Sequence, residues 1–454
     1  MGLIKIKKGL NVPITGEPEQ VISTGNPSQK VALLGYDYVG LKPTLAVNVG
    51  DKVKIGQLLF TDKKMAGVNF TAPAAGTVIE INRGDKRSFE SMVIEVENKE
   101  EEILFPSFTP SQLLTLEPEQ IKKQLLDSGL WIALRARPLG KVADPAITPH
   151  SLFITAMDTN PLAPSIENIL ADTNNQDSFK NGLIVISKLI TGHMFLCKSP
   201  GASIPVIDLE RLSVEEFSGP HPAGNVGTHI HFLDPVNRHK TVWHLDAQDV
   251  MAWGKFFTSG HIPVERIVAL AGPMVKHPRL IQTRIGACME SISQNELKES
   301  EYGMRVISGS VLSGRQAVGT MAYLGRYHQQ VSVVAEGKKR VFLGWLSPGF
   351  NLFSFKRILM SSLLPKKKFN FTTDQNGGQR AVFPVGSYDS VMPMDTEITY
   401  LLRALMVDDI EEAENLGCLE MVEEDLALCS FVSPAKNEYG QVLRRNLTLI
   451  DKEG

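Results

Sequence analysis

Cysteine is scarce in these 454 residues: Cys197, Cys288, Cys418 and Cys429 stand far apart, and no C-x-x-C occurs. That excludes a disulfide framework and zinc-finger spacing, and fits a reduced, cytoplasmic setting. An excess of charge is also missing. Lys and Arg number 47 against 50 Asp and Glu, for a formal net charge of -3. Without a basic surplus, nucleic acid is not expected as the main partner. No window of about 18 residues is apolar enough to span a bilayer. The N-terminus, MGLIKIKKGLNVPITG, is basic but lacks the apolar core of a secretory signal. No G-x-G-x-x-G is present, so the usual dinucleotide mode of NADH binding is not expected. H-E-x-x-H is absent as well, and no metal site is expected. What remains is an ordinary composition, 43% apolar and 21% charged, long enough for about three domains.

The densest local signal is residues 219–235, GPHPAGNVGTHIHFLDP. Pro220 and Pro222 stiffen the entry and disfavour helix in the residues before them. Gly224 and Gly227 leave backbone N–H groups bare, as close approach of a phosphate, carboxylate or carbonyl group requires. His221, His229 and His231 accompany them. Two readings stay open, a ligand cradle and a tight structural turn with solvated histidines.

Residues 1–30 read as an irregular lead-in. Then V-x-x-G-D-x-V-x-x-G-Q from Val47 and A-P-x-x-G-x-V from Ala72 form two half-motifs with alternating apolar residues. They resemble the biotinyl/lipoyl barrel-sandwich fold. Lys64-Met65 lies between the halves, but the arm is short, so the fold is expected without a modified lysine. Ahead of the repeat, Tyr36 and Tyr38 alternate and are expected on one face of a strand or exit loop.

Glu117, Pro118 and Gly129 bracket a helix carrying Ile121 and Leu125. The following stretch, WIALRARPLGK, sets Arg135, Arg137 and Lys141 among apolar residues. It suits an amphiphilic or anionic ligand, or is a solvated linker. Residues 151–272 read as α/β: strand 151–157, a helical stripe of Phe179, Leu183, Ile186 and Ile190, and strand 193–197 make a right-handed crossover. Ser213 and Glu216 have capping-box spacing, and Asp246 caps a helix ending near Gly260. Residues 271–330 resemble a compact β-grasp module. The most apolar tract, 341–364, is followed by a lysine run. It suits docking on a membrane or a membrane-embedded partner, or is core with a solvated loop. The last region is helical, from the Ile398, Leu401, Leu402, Leu405 face.

Several longer stretches carry a wider resemblance: KIKKGL from Lys5, FTAPAAG from Phe70, DSGLW from Asp127, TAMDTNP from Thr155, GPHPAG from Gly219, LGRYHQQV from Leu324 and EDLALC from Glu424. With them the chain resembles the A-subunit family of bacterial sodium-translocating NADH:quinone oxidoreductases (Na+-NQR). The resemblance implies a multidomain α/β chain in four parts. These are a barrel-sandwich hybrid with an N-terminal extension (1–110), a Rossmann-like domain (111–260), a β-grasp module (261–335) and a mainly helical C-terminal domain (336–454). It implies a peripheral position on the cytoplasmic side of the inner membrane, in a six-subunit complex that passes electrons from NADH to ubiquinone and exports Na+. The membrane-embedded B-subunit is the implied neighbour. NADH, FAD, FMN, riboflavin and Fe–S centres are expected in other subunits, with no covalent cofactor and no metal here. Cys418 and Cys429 read as remnants, with Ser433 where relatives carry another cysteine. For the quinone, the candidates are Leu34, Tyr36, Tyr38, Arg135, Arg137, Lys141, His221, Gly224 and His229. A dehydrogenase component that binds flavin or NADH, and a ligand-free scaffold, are the alternatives.

Overall fold

A computed structural model of the chain describes residues 2–339 and 342–453. The two half-motifs fold into facing sheets. One runs Lys30–Leu34, Phe89–Val96, Gly76–Arg83, Lys52–Val53; the other runs Pro43–Leu45, Leu58–Asp62, Asn69–Thr71. Alternation puts Val31, Leu33, Phe60, Phe70, Val78 and Ile94 between them, with Phe60 and Phe70 stacked at 4.7 Å. Burying six such side chains from water contributes about 10–15 kcal/mol before the entropy of ordering them. Lys64 lies in the exposed turn between Leu58–Asp62 and Asn69–Thr71, its backbone N–H donating to the Asp62 carboxylate at 3.0 Å.

The second body is a seven-stranded sheet. Ser151–Ala156 is flanked by His193–Lys198 and then Leu212–Ser218 on one side, and by Val242–Asp246 on the other, all parallel. Arg135–Arg137 and Lys141–Val142 extend it as an antiparallel hairpin. The helices Thr173–Leu189 and Ala247–Ser259 pack together on it. They approach so closely that a Cβ on Gly182 would meet Val250 O at 2.0 Å, and one on Gly254 would meet Ser178 O at 1.8 Å. Asp246 caps the second helix, accepting from Asp249 N, and Gly260 ends it in the left-handed region, as the caps in the sequence indicate.

The third sheet has the β-grasp arrangement. Glu265–Ala271 pairs antiparallel with Arg279–Arg284, Met289–Ser293 is a short helix, and Gln330–Ala335 returns parallel beside the first strand. Met304–Ser308 pairs on its outer side. The last body packs Ile398–Met406, Ala427–Val432 and Tyr439–Glu453 around Leu401, Leu402, Leu405, Leu443 and Leu447.

Several expectations are corrected. The lead-in is not irregular: Leu3–Lys5 joins the seven-stranded sheet beside Leu212–Ser218, and Glu19–Thr24 joins the β-grasp sheet beside Arg279–Arg284. Ser213 and Glu216 cap nothing. They lie in the strand Leu212–Ser218, where pairing on both edges outweighs a local cap signal. Tyr36 and Tyr38 do not share a face, because Gly35–Asp37 is a 3-10 turn that leaves Tyr36 66% exposed and buries Tyr38. Within 219–235 the histidines are not in a solvated turn, since Val226–Leu233 is a helix with His229 buried. In the apolar tract, the described residues from 342 to 364 form two 3-10 turns, Gly344–Leu346 and Met360–Leu363, rather than core strand or helix. Arg340 and Val341, which begin that tract and its flank, lie outside the described residues.

Candidate functional site

The parallel sheet reverses its strand order between Ser151–Ala156 and Val242–Asp246. Folds of this kind bind ligands in the crevice beyond those strand ends. Here the crevice at the end of Val242–Asp246 is filled by the chain itself. Asp246 accepts from Arg266, and Asp249 accepts from Arg266 Nη1 at 3.1 Å and from Arg326 Nη2 at 2.8 Å. All four side chains are largely or fully enclosed. Burial would raise the Asp249 carboxyl, but the two guanidiniums hold it well below its usual range. Burial would lower Arg326, and Asp249 reverses that and raises it. Two acids and two bases close their own charge balance, and breaking one partner would strand a buried charge. The helix start that could otherwise receive a phosphate carries Asp246 and Asp249 instead, which complement its dipole and repel anions. The residues here do not fit a nucleotide or flavin phosphate.

Arg326 belongs to the loop after Leu324, which runs over this crevice. Its backbone N–H donates to the Asp37 carboxylate at 2.8 Å, and Arg315 Nη1 donates to the same carboxylate at 2.8 Å. Asp37 thereby ties the barrel to the β-grasp module. Next in the loop, the Tyr327 hydroxyl donates to Ile132 O at 2.7 Å. Its ring takes Tyr38 edge-on at 6.3 Å, and the Arg135 guanidinium lies 4.5 Å above its centre. Burial keeps the Tyr327 and Tyr38 phenols protonated well above the usual range. His328 Nδ1 lies 2.8 Å from Ser308 Oγ, and that oxygen also accepts from Gly325 N at 2.9 Å. Burial, with Arg315 nearby, lowers His328 to about 4.

The barrel, the α/β hairpin and the β-grasp loop therefore meet at one junction, where Tyr38 and Arg135 both contact the Tyr327 ring and Tyr36 contacts Arg315. On its outer side Tyr36 is exposed, with the Arg315 guanidinium 5.3 Å from its ring centre. Arg315 Nε and Nη2 are buried and have no protein acceptor among the described residues. Arg135 is half-buried, and among the described residues its guanidinium has no ion pair or hydrogen bond. A flat aromatic edge beside unpaired donors can hold a planar ligand carrying carbonyl oxygens.

The other candidates sit elsewhere. Leu34 is buried with Ala32, Val93 and Tyr323. Arg137 is fully buried and bonds Asp425 Oδ2 at 2.9 Å, Glu420 O at 3.0 Å and Glu424 at 3.3 Å; it fastens the C-terminal helices to the sheet. Lys141 pairs with Asp451 on the last helix. The bare N–H of Gly224 is taken by Thr159 Oγ1 at 2.8 Å, and a Cβ there would lie 2.6 Å from Thr159 N. His221 meets the same hydroxyl at 3.2 Å, and His229 Nε2 bonds Ala223 O at 2.9 Å. Burial lowers both histidines to about 4, so they are neutral. His231 accepts from Asp395 N through Nε2 and donates through Nδ1 to Glu420 at 2.8 Å. Cys418 and Cys429 are buried in the helical core, burial pushing the Cys418 thiol up to about 12. The Ser433 hydroxyl lies 3.1 Å from that of Tyr388. Among the described residues no three His, Cys, Asp or Glu converge as metal ligands. Residue by residue, the sequence does not single out Arg315, Arg326 or Tyr327. The unusual run LGRYHQQV is the signal that could have found Arg326 and Tyr327.

Barrel-sandwich hybrid, parallel α/β sheet, β-grasp module and helical end together define a multidomain α/β protein, with no helix among the described residues long and apolar enough to cross a membrane. Residues 4–97 match the NqrA N-terminal barrel-sandwich hybrid domain, residues 116–262 the NqrA second alpha/beta domain, and residues 267–319 the NQRA C-terminal domain. Proteins named as the A-subunit of Na(+)-translocating NADH-quinone reductase are 52% identical in Hahella chejuensis, and 53% in Histophilus somni and Pasteurella multocida. Each comparison runs over 452 residues and covers 100% of both chains. The chain belongs to this A-subunit family of the Na(+)-translocating NADH-quinone reductase. A solved NAD+-reducing [NiFe]-hydrogenase aligns over 50% of this chain and 51% of its own at 14% identity, with a TM-score of 0.34.

Proposed function

We propose that this chain serves the Na+-translocating NADH:ubiquinone reductase as its quinone-facing peripheral subunit. On this reading the ubiquinone head rests against the junction of barrel, hairpin and β-grasp loop. One observation carries it: Arg135 is held on the Tyr327 ring with its donors unpaired, in a junction that also holds exposed Tyr36 against Arg315, two of whose buried donors are unpaired. A quinone has a flat ring and two carbonyl acceptors, and unpaired buried donors are costly unless a ligand meets them. The chain holds no covalent cofactor on this reading. NADH, FAD, FMN, riboflavin and Fe–S chemistry belong to other subunits, and the chain sits on the cytoplasmic side against the membrane-embedded B-subunit. The filled crevice at Asp246 and Asp249 speaks against the flavin- or NADH-binding alternative. The test is hydrogen exchange of the purified full chain with and without a short-chain ubiquinone. Slowed exchange in residues 35–40, 134–137 and 325–328 is expected. Unchanged exchange in all three leaves the scaffold reading.

A further inference from the structure

Between Glu336 and Asp374 the sequence holds eight Lys or Arg and no Asp or Glu, in a chain of net charge -3. The same segment carries a concentration of exposed apolar side chains: Phe342 is 91% exposed, Ile358 78%, Leu363 69% and Leu346 61%. Beneath them the segment is anchored. The Phe353 ring packs on Phe369 at 5.8 Å, Phe371 at 5.6 Å and Phe431 at 6.1 Å. Phe369 N donates to Pro13 O at 2.7 Å, and Ser361 Oγ to Leu352 O at 2.6 Å. One set of rings faces the body while other apolar side chains of the segment are exposed, as are Lys338, Lys339, Arg357 and Lys366.

A concentration of exposed apolar side chains of this kind marks an interaction surface. Protein interfaces are depleted in lysine at such faces. One carboxylate, Glu17, pairs with Lys368, but the exposed charges on the segment itself are all cations, and apolar residues among cations match the headgroup layer of an anionic bilayer. We propose that residues 342–368 seat directly on anionic lipid, with Phe342, Ile358 and Leu363 entering the headgroup layer and the flanking cations facing lipid phosphates. This contact needs neither quinone nor another protein chain.

The test is co-sedimentation of the purified full chain with vesicles of phosphatidylcholine alone, or mixed with phosphatidylglycerol. The expected result is binding to the mixed vesicles only, weakened by high salt. Lys338→Gln, Arg357→Gln and Lys366→Gln should each weaken it by about fivefold. The combined Phe342→Ser, Ile358→Ser, Leu363→Ser variant should weaken it by at least about tenfold, with an unchanged circular-dichroism spectrum because these side chains are exposed. Equal retention by both vesicles, no retention, or wild-type binding by all variants overturns the proposal. So does retention only by vesicles carrying the other subunits, which makes the face a protein contact.

Discussion

The Arg135 guanidinium lies 4.5 Å above the centre of the Tyr327 ring, joining the α/β hairpin to the β-grasp loop across 192 residues of chain (327 − 135). The stack fixes a cation without neutralising it, so its N–H groups stay free for a ligand. Such a contact contributes about 0.5–2 kcal/mol. Arg135→Ala should therefore lower stability by no more than about 2 kcal/mol while weakening quinone affinity by about tenfold. Arg135→Lys should retain charge but lose the planar fork. Paired thermal melts and quinone titrations separate the two effects.

Tyr327 has two duties, and two substitutions divide them. Tyr327→Phe keeps the platform and removes the bond to Ile132 O, at a cost of about 1 kcal/mol. Tyr327→Ala removes the ring beneath Arg135 and the edge contact with Tyr38, at about 3–5 kcal/mol. In the assembled complex, the first should leave the KM for quinone near wild type and the second should raise it.

At the filled crevice, Asp249→Asn leaves Arg326 without a carboxylate partner and Arg266 with Asp246 alone. Stranding buried charge costs about 3–5 kcal/mol, so a clear fall in the denaturant midpoint is expected. Adding Arg326→Met should recover part of the loss, because it removes the stranded cation.

Acid should unfold the chain through its buried histidines. His221, His229 and His328 have pKa values of about 4 in the folded protein, lowered by burial, against about 6.5 when unfolded. Between these values the unfolded chain binds the extra protons. Stability is thus full above pH 6.5 and falls as pH drops towards 4, by about 3 kcal/mol per histidine. Denaturant unfolding at pH 7.5 and 5 measures this, and His229→Gln should reduce the slope.

Much of the architecture is legible in the sequence because its signals are local. Asp246 and Gly260, or Glu117, Pro118 and Gly129, mark helix ends with chemistry that acts within one turn. The barrel half-motifs repeat a pattern of alternation and glycine. What is not legible depends on distant partners. Leu3 pairs with Glu216 and Ile22 with Leu280, and three- or six-residue strands carry too little alternation to announce themselves. Arg137 reads from composition as a ligand residue because Asp425 lies 288 positions away. Tyr36 and Tyr38 fit an extended strand until the 3-10 turn at Gly35–Asp37 separates them. The junction itself is half visible: Tyr36, Tyr38 and Arg135 can be named from the sequence. Arg315, Arg326 and Tyr327 gain meaning only when three sheets meet.

The most direct measurement is a titration of the purified full chain with a short-chain ubiquinone, followed by ligand-observed NMR, for wild type, Arg135→Ala and Lys64→Ala. Saturable binding by wild type and Lys64→Ala is predicted, with about tenfold weaker binding by Arg135→Ala. Equal affinity in all three proteins, or no binding by any, would contradict a quinone seat at the Arg135–Tyr327 junction.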